Sequence, residues 1–204
     1  MDELIDVLDA EGNYTGQSIM KSEAHKKGVF HPSIHVWLYT KNGEILIQQR
    51  AKNKDTHPGL WDVSVAGHIG AGEDATESAI REVQEEIGLA ITKKDLHKIG
   101  VFKYSHQHRH DLLDCEFHHT FLCELKVPLT TLELQESEVA DLDLISMSTL
   151  QNELESKTNS KKYVPYDMDY YGAYLRLLGK NYKLFKNASV YPNYRFAALL
   201  SPYP

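Results

Sequence analysis

Cysteine is scarce in this chain: only Cys115 and Cys123 occur in 204 residues. Both fall in a run that reads as one strand, where extended backbone of roughly 3.3 Å per residue would hold them about 26 Å apart. That separation rules out an intrachain disulfide, so both are expected to be free thiols serving as small core residues in a reducing cytoplasm. Long apolar runs are missing too. No stretch approaches the roughly 18 consecutive apolar residues of a membrane-spanning helix. The start, Met1-Asp2-Glu3-Leu4-Ile5-Asp6, lacks the basic and apolar regions of a signal peptide, and none is expected. Basic charge is not in excess: 22 Lys and Arg face 29 Asp and Glu, a net −7 with His neutral. Such a balance argues against a general binder of nucleic acid or anionic membranes, but leaves room for a local basic pocket. Internal repeats and low-complexity tracts are absent.

What is present fits an ordinary soluble globular protein, with 42% hydrophobic and 25% charged residues. The length suits one domain with a real core and an appended element. Leu4 to Leu8 reads as a strand followed by a turn at residues 10–13. Ser33 to Thr40 is β-branched and aromatic, hence a strand. Asn42-Gly43 is a hairpin signal, and Ile45 to Gln49 is the returning strand. His57-Pro58-Gly59 is a loop, and Trp61 to Ala66 a further strand. Glu73 to Ile87 has helical periodicity, with Gly88 where a helix stops. Val101 to His106 and Cys115 to Val127 are later strands, and Met147 to Glu155 is a helix. Residues 156–162 are polar and aperiodic, a loop or linker. Beyond them Tyr166 to Leu178 is expected to be helical, with Met168, Tyr171, Tyr174, Leu175 and Leu178 near one face. The tail from Asn181 is Tyr-rich and carries no motif. Mixed strands and helices point to an α/β or α+β sandwich, divided as a main domain over 1–155 and a helical extension over 156–204 packed on it.

The informative segment is Gly67 to Leu89, GHIGAGEDATESAIREVQEEIGL. At about 100° per residue, Glu82, Glu85 and Glu86 share one arc of a helix. Ala79, Val83, Thr76, Ile87 and Ile80 share the neighbouring arc. The apolar arc can seat the helix on a sheet. Three carboxylates held that close repel one another, so they either face open water or hold a cation. A hard, oxygen-liganded ion such as Mg²⁺ or Mn²⁺ suits them.

The segment also resembles the Nudix signature without departure: Gly67, Glu73, Arg81-Glu82, Val83, Glu85-Glu86, Gly88 and Leu89 occupy its specified positions. The resemblance implies a Nudix-type α/β/α sandwich with a mixed sheet, here extended by C-terminal helix. It implies an Mg²⁺-dependent hydrolase that cleaves a diphosphate linkage in a small organic molecule, such as a nucleoside-diphosphate-linked one. Metal ligands would be Glu82, Glu85, Glu86 and the carbonyl of Gly67, while Glu73 and Arg81 would pair to brace the loop against the helix. The general base differs between family members and is not assigned. Glu85, Glu86 and Glu116 are the candidate catalytic carboxylates. A homodimer is left open by the family.

A second resemblance covers about His25 to His68. The run Ile45 to Lys54, then Pro58 to His68, is similar to type I isopentenyl-diphosphate isomerases and their hydrolase-like relatives. It implies that Arg50 and Lys54 contact the substrate diphosphate, a role for which Arg geometry is suited. His25, His31 and His68, with Asp114 and Glu116, stand where those isomerases hold a metal. However, the interval from His25 to His31 is one residue short, and a chain with eleven histidines makes such matches cheap. Whether that second site exists stays open. His106, His108, His110, His118 and His119 are read mostly as surface or pocket lining. Trp37, Tyr104 and Phe117 could stack on a base, though core or rim positions suit them better. Ala66 stands where the isomerases carry a proton-transferring Cys, which favours hydrolysis. Isomerisation of isopentenyl diphosphate, or a non-catalytic ligand-sensing module, are the alternatives.

Overall fold

All nine residues of strand β3 (His31–Tyr39) are buried. Ile34, Val36 and Leu38 alternate along it with His35, Trp37 and Tyr39, as in a strand covered on both faces. The structure, a computed structural model, describes residues 2–181, with side chains through Arg176. β3 runs parallel to β8 (Leu112–Glu124), in register from His31↔Glu116 to Tyr39↔Glu124. It also pairs antiparallel with β6 (Val65–His68) and, at Tyr39↔Ile45, with β4 (Glu44–Arg50). Strand β4 pairs with β5 (Trp61–Asp62) and β9 (Val139–Ser146), and β8 with β7 (Leu96–Arg109). These form one seven-stranded mixed sheet, while β1 (Leu4–Leu8) and β2 (Tyr14–Met20) form a separate hairpin.

Helices cover both faces. On one, α2 (Ala75–Ile87) packs Ala79, Val83 and Ile87 against Ile34, Val36 and Leu38. On the other, α3 (Met147–Glu155) and α4 (Met168–Asn181) bring Leu150, Leu154, Tyr170, Tyr174 and Leu175 over Trp37, Tyr39 and Ile45. The layers are therefore helix, mixed sheet, helix, the α+β sandwich expected. Tyr174 stacks on Trp37 with ring centroids 4.0 Å apart, a contact worth about 0.5–1.5 kcal/mol beyond its buried area. Helix α4 begins at Met168 rather than Tyr166, because Asp167 caps the Tyr170 N–H. Tyr171, Tyr174 and Leu175 are buried as a face, but Met168 is exposed. The side chain of Leu178 and the tail from residue 182 lie outside what the structure describes.

Three further differences from the sequence expectations have local causes. The expected strand Trp61 to Ala66 is two strands, β5 and β6. Between them the Ser64 hydroxyl accepts from the Leu38 N–H and donates to the Leu46 carbonyl, satisfying two backbone groups where a ladder would otherwise run. Helix α2 starts at Ala75 and not Glu73, because the Asp74 carboxylate caps the N–H groups of Thr76 and Glu77. Elements not expected are β2, helix α1 (Lys21–Lys27) and β9. β2 is exposed almost throughout and α1 is only seven residues long, so neither displays an apolar period. The alternation Asp141-Leu142-Asp143-Leu144 is a period-2 signature of β9 that was legible. Cys115 and Cys123 are free thiols on β8. Among the described residues no helix is long and apolar enough to cross a membrane.

Candidate active site

Helix α2 is fixed at both ends before its carboxylates matter. The Asp74 cap begins it, and Gly88, in the left-handed region at φ 68°, ends it with its N–H bonded to the Gln84 carbonyl. With the apolar arc seated on the sheet, Glu82 and Glu86 are buried toward β6 and Glu85 stays exposed. Gly67 of β6 lies directly against the Glu82 carboxyl, leaving no room for a β-carbon.

Arg81 braces this corner. Its Nε and Nη2 donate to both Glu73 oxygens at 3.1 and 3.0 Å, and Nη2 also donates to the His68 carbonyl. The loop-to-helix pairing expected of Glu73 and Arg81 is thus formed. Arg81 Nη1 further reaches Glu82 at 2.7 Å and Glu85 at 3.2 Å, so one guanidinium offsets part of the repulsion among the carboxylates. Burial, reinforced by the Glu82 charge, lifts the Glu86 carboxyl well above the usual carboxylate range. Burial also raises Glu82, against the pull of Arg81. Glu86 Oε2 is buried and has no hydrogen-bond partner. An orphaned carboxylate oxygen among further carboxylates, with the Gly67 carbonyl on the adjoining strand, is a donor set that fits a hard divalent cation.

These groups open on a cleft of about 410 Å³, lined also by Arg50, Lys54 and Ala66. Arg50, at the end of β4, donates from Nη1 to Asp62 at 3.0 Å and from Nε and Nη2 to Thr56. Burial opposes its charge, but the Asp62 carboxylate beside it raises its pKa on balance. Three of its five N–H groups are used in these bonds. Lys54 is paired with Glu138. Asp62 and Glu138 were not singled out from sequence. Asp62 is an acid within the apolar run from Trp61 to Ala66, a signal that could have found it; Glu138 gives no such signal.

A separate group forms where three strands and a helix meet. The parallel register sets His31 opposite Glu116, the antiparallel one sets Ser33 opposite His68, and α1 supplies His25. One ligand atom from each of His25, His31, His68 and Glu116 lies within 4.8 Å of the others. His31 donates Nδ1–H to the Val29 carbonyl at 2.8 Å. The Nε2 atoms of His25, His31 and His68 are buried without hydrogen-bond partners. Unpartnered imidazole nitrogens around a carboxylate fit a transition metal. Glu116, expected as a catalytic candidate, belongs to this group rather than to α2. His118 Nε2 is 3.1 Å from its other oxygen. Burial works against the Glu116 charge, yet His118 and His31 beside it hold the carboxyl well below the usual range. Asp114 stands further off, 3.9 Å from His25 and 2.8 Å from His108.

The other histidines sort by strand alternation. His106 and His118 share a face, the ring of His108 lies beside that of His106 across a shift of register, His119 is on the opposite face, and His110 lies beyond the end of β7. Trp37 is core, Tyr104 lines the cleft, and Phe117 packs against Phe30.

Comparison with known proteins agrees with this geometry. A family described as NUDIX domain matches residues 29–166. The chain is 34% identical over 172 residues to Nudix hydrolase 3 of Arabidopsis thaliana, covering 82% of this chain but only 22% of that protein. An uncharacterised Nudix hydrolase of Clostridium acetobutylicum is 30% identical over 89% of this chain and 99% of its own length. An isopentenyl-diphosphate Delta-isomerase of Serratia proteamaculans is 34% identical over 60% of this chain and 66% of its own. A solved structure from Deinococcus radiodurans superposes with a TM-score of 0.64 at 15% identity, covering 86% of this chain and 98% of that one, and so shares the fold. With the signature helix, its Glu73–Arg81 brace and a full-length relative in agreement, the chain belongs to the Nudix hydrolase family.

Proposed function

We propose that this enzyme hydrolyses a diphosphate linkage in a small organic substrate, using Mg²⁺ or Mn²⁺ at Glu82, Glu85, Glu86 and the Gly67 carbonyl. One observation carries the reading: the α2 carboxylates and the Arg50–Lys54 pair open on the same cleft. A divalent cation bound there would neutralise phosphoryl oxygens and acidify a water. Arg50, held in orientation by Asp62 and Thr56 on the cleft wall, offers its remaining N–H groups to a phosphate. Lys54 adds charge once the phosphate competes with Glu138. Glu85 and Glu86 border the cleft as proton acceptors for an attacking water. Glu116, whose charge is stabilised by His118 and His31, is the poorer acceptor and serves the histidine group instead. The test uses the chelator-stripped chain with nucleoside, nucleotide-sugar, dinucleotide and prenyl diphosphates. Cleavage of at least one that requires added Mg²⁺ or Mn²⁺ is expected; no cleavage of any overturns the reading.

A second reading is isomerisation of isopentenyl diphosphate. Its favouring observation is the His25, His31, His68 and Glu116 group, in a chain with isomerase relatives. Against it stands Ala66 on the cleft wall, which has no proton to transfer. Dimethylallyl diphosphate formed by the unmodified chain would decide for it.

A further inference from the structure

The geometry points to a separate transition-metal site made by His57, His106 and His108, with Asp114 orienting His108 from behind. The three side chains come from two places. His57 sits in the loop between β4 and β5, whereas His106 and His108 are two apart on β7, whose register shifts between Gln107 and Arg109. Their rings meet as a triangle: centroids are 5.0 Å apart for His57–His106, 4.4 Å for His57–His108 and 4.6 Å for His106–His108. One ring nitrogen from each lies within 4.8 Å of the other two. Tetrahedral Zn²⁺ with Zn–N bonds of about 2.0–2.1 Å spaces its ligand nitrogens roughly 3.3 Å apart. Small rotations of partly exposed rings close that gap.

Two features set this group apart from histidines that merely crowd. His108 Nε2 is 2.8 Å from Asp114 Oδ2, so its proton is held there and the Nδ1 lone pair is left for a metal. That is the carboxylate–histidine arrangement that orients imidazole ligands and raises their basicity. His57 has φ 48°, the only positive value for a non-glycine among the described residues, and this backbone brings its ring over the two on β7. Three neutral imidazoles select Zn²⁺, Co²⁺, Ni²⁺ or Cu²⁺ over Mg²⁺, and three protein ligands leave one position open at the cleft edge, where His57 is part of the wall. The three histidines form this site whichever reaction the cleft performs. Asp114 faces both histidine groups, so the two sites adjoin yet share no ligand.

The experiment counts Co²⁺ on the full chain, stripped with chelator and held in excess Mg²⁺ to occupy the α2 carboxylates. Metal bound after desalting is measured beside the visible absorption of Co²⁺. The pair H106Q/H108Q is expected to lose one equivalent relative to the unmodified chain. H68Q, which damages the neighbouring group, should retain that equivalent, and H110Q should lose nothing. Equal Co²⁺ in H106Q/H108Q and the unmodified chain would overturn the site, as would an H68Q chain that binds none. Should H106Q/H108Q not fold, proton NMR of the unmodified chain decides. Co²⁺-shifted imidazole resonances from His57, His106 and His108 support the site, and their absence at saturation overturns it.

Discussion

Gly67 and Glu82 touch so closely that a β-carbon on Gly67 would lie 2.2 Å from the Glu82 carboxyl carbon. The glycine is needed here for space, since a β-carbon would push the end of the Glu82 side chain from its buried place beside β6. Gly67→Ala keeps the backbone carbonyl but displaces Glu82. Activity is expected to fall by orders of magnitude, and stability by about 1–3 kcal/mol, as for an overpacked interior. Steady-state kinetics and denaturant unfolding check this. Near-normal turnover would mean that the position of Glu82 is unimportant.

Glu85 separates chemistry from stability, because it is exposed and, among the described residues, its ion pair is with Arg81 alone. Exposed pairs contribute about 0–1 kcal/mol, so Glu85→Gln should leave the melting temperature nearly unchanged. Turnover should drop by orders of magnitude through loss of a metal ligand. Full activity at saturating Mg²⁺ would remove Glu85 from the metal site.

Ala66 pairs with His35 across β6 and β3 and lines the cleft. Ala66→Cys is expected to add a thiol without conferring isomerisation, because a proton donor alone supplies neither a dry pocket nor a wall that stabilises a carbocation. Incubation with isopentenyl diphosphate, following dimethylallyl diphosphate and phosphate separately, tests this. Product from the variant alone would identify an isomerase pocket lacking one group.

Tyr174 is fully buried against Trp37. Replacing it with Ala should cost about 3–5 kcal/mol, as for other large aromatic deletions. Truncation after Ser160 should expose the sheet face under α4 and cause aggregation or a lower melting temperature. A soluble truncated chain with unchanged melting temperature would show that the extension contributes nothing to the core.

His119 lies on the face of β8 turned away from the cleft. Burial, aided by the Lys98 ammonium, lowers its pKa from 6.5 to about 4. The unfolded chain therefore takes up a proton at higher pH than the folded one. Its contribution is constant above pH 6.5, and stability is lost as pH falls from there to about 4, with no further loss below. Melting curves of His119→Gln and the unmodified chain should run parallel above that window and diverge within it, the unmodified chain losing more. Parallel curves throughout would refute the assignment.

Much of the α2 site was legible because its information is local. Helical spacing alone placed Glu82, Glu85 and Glu86 on one arc, and Glu73 and Arg81 are eight residues apart, across the start of the same helix. The hairpin at Asn42-Gly43 was equally local: Gly43 has φ 79°, and Thr40 and Glu44 close the turn. Arg50 and Lys54 were found as cations, but their partners Asp62 and Glu138 were not, since neither pairing follows a short-range period.

What the sequence determined by itself was the family, the mixed α+β class and the carboxylate helix, because caps, hydrophobic period and signature spacing act within a few turns of chain. Only the tertiary structure decided the histidine groups. His31 meets Glu116 through the parallel register of β3 and β8, and His57 meets His106 and His108 through a loop folded against β7. Strand alternation can say which histidines share a face, but register between distant strands is set by packing on both sides of the sheet. That packing is a property of the whole core rather than of any segment.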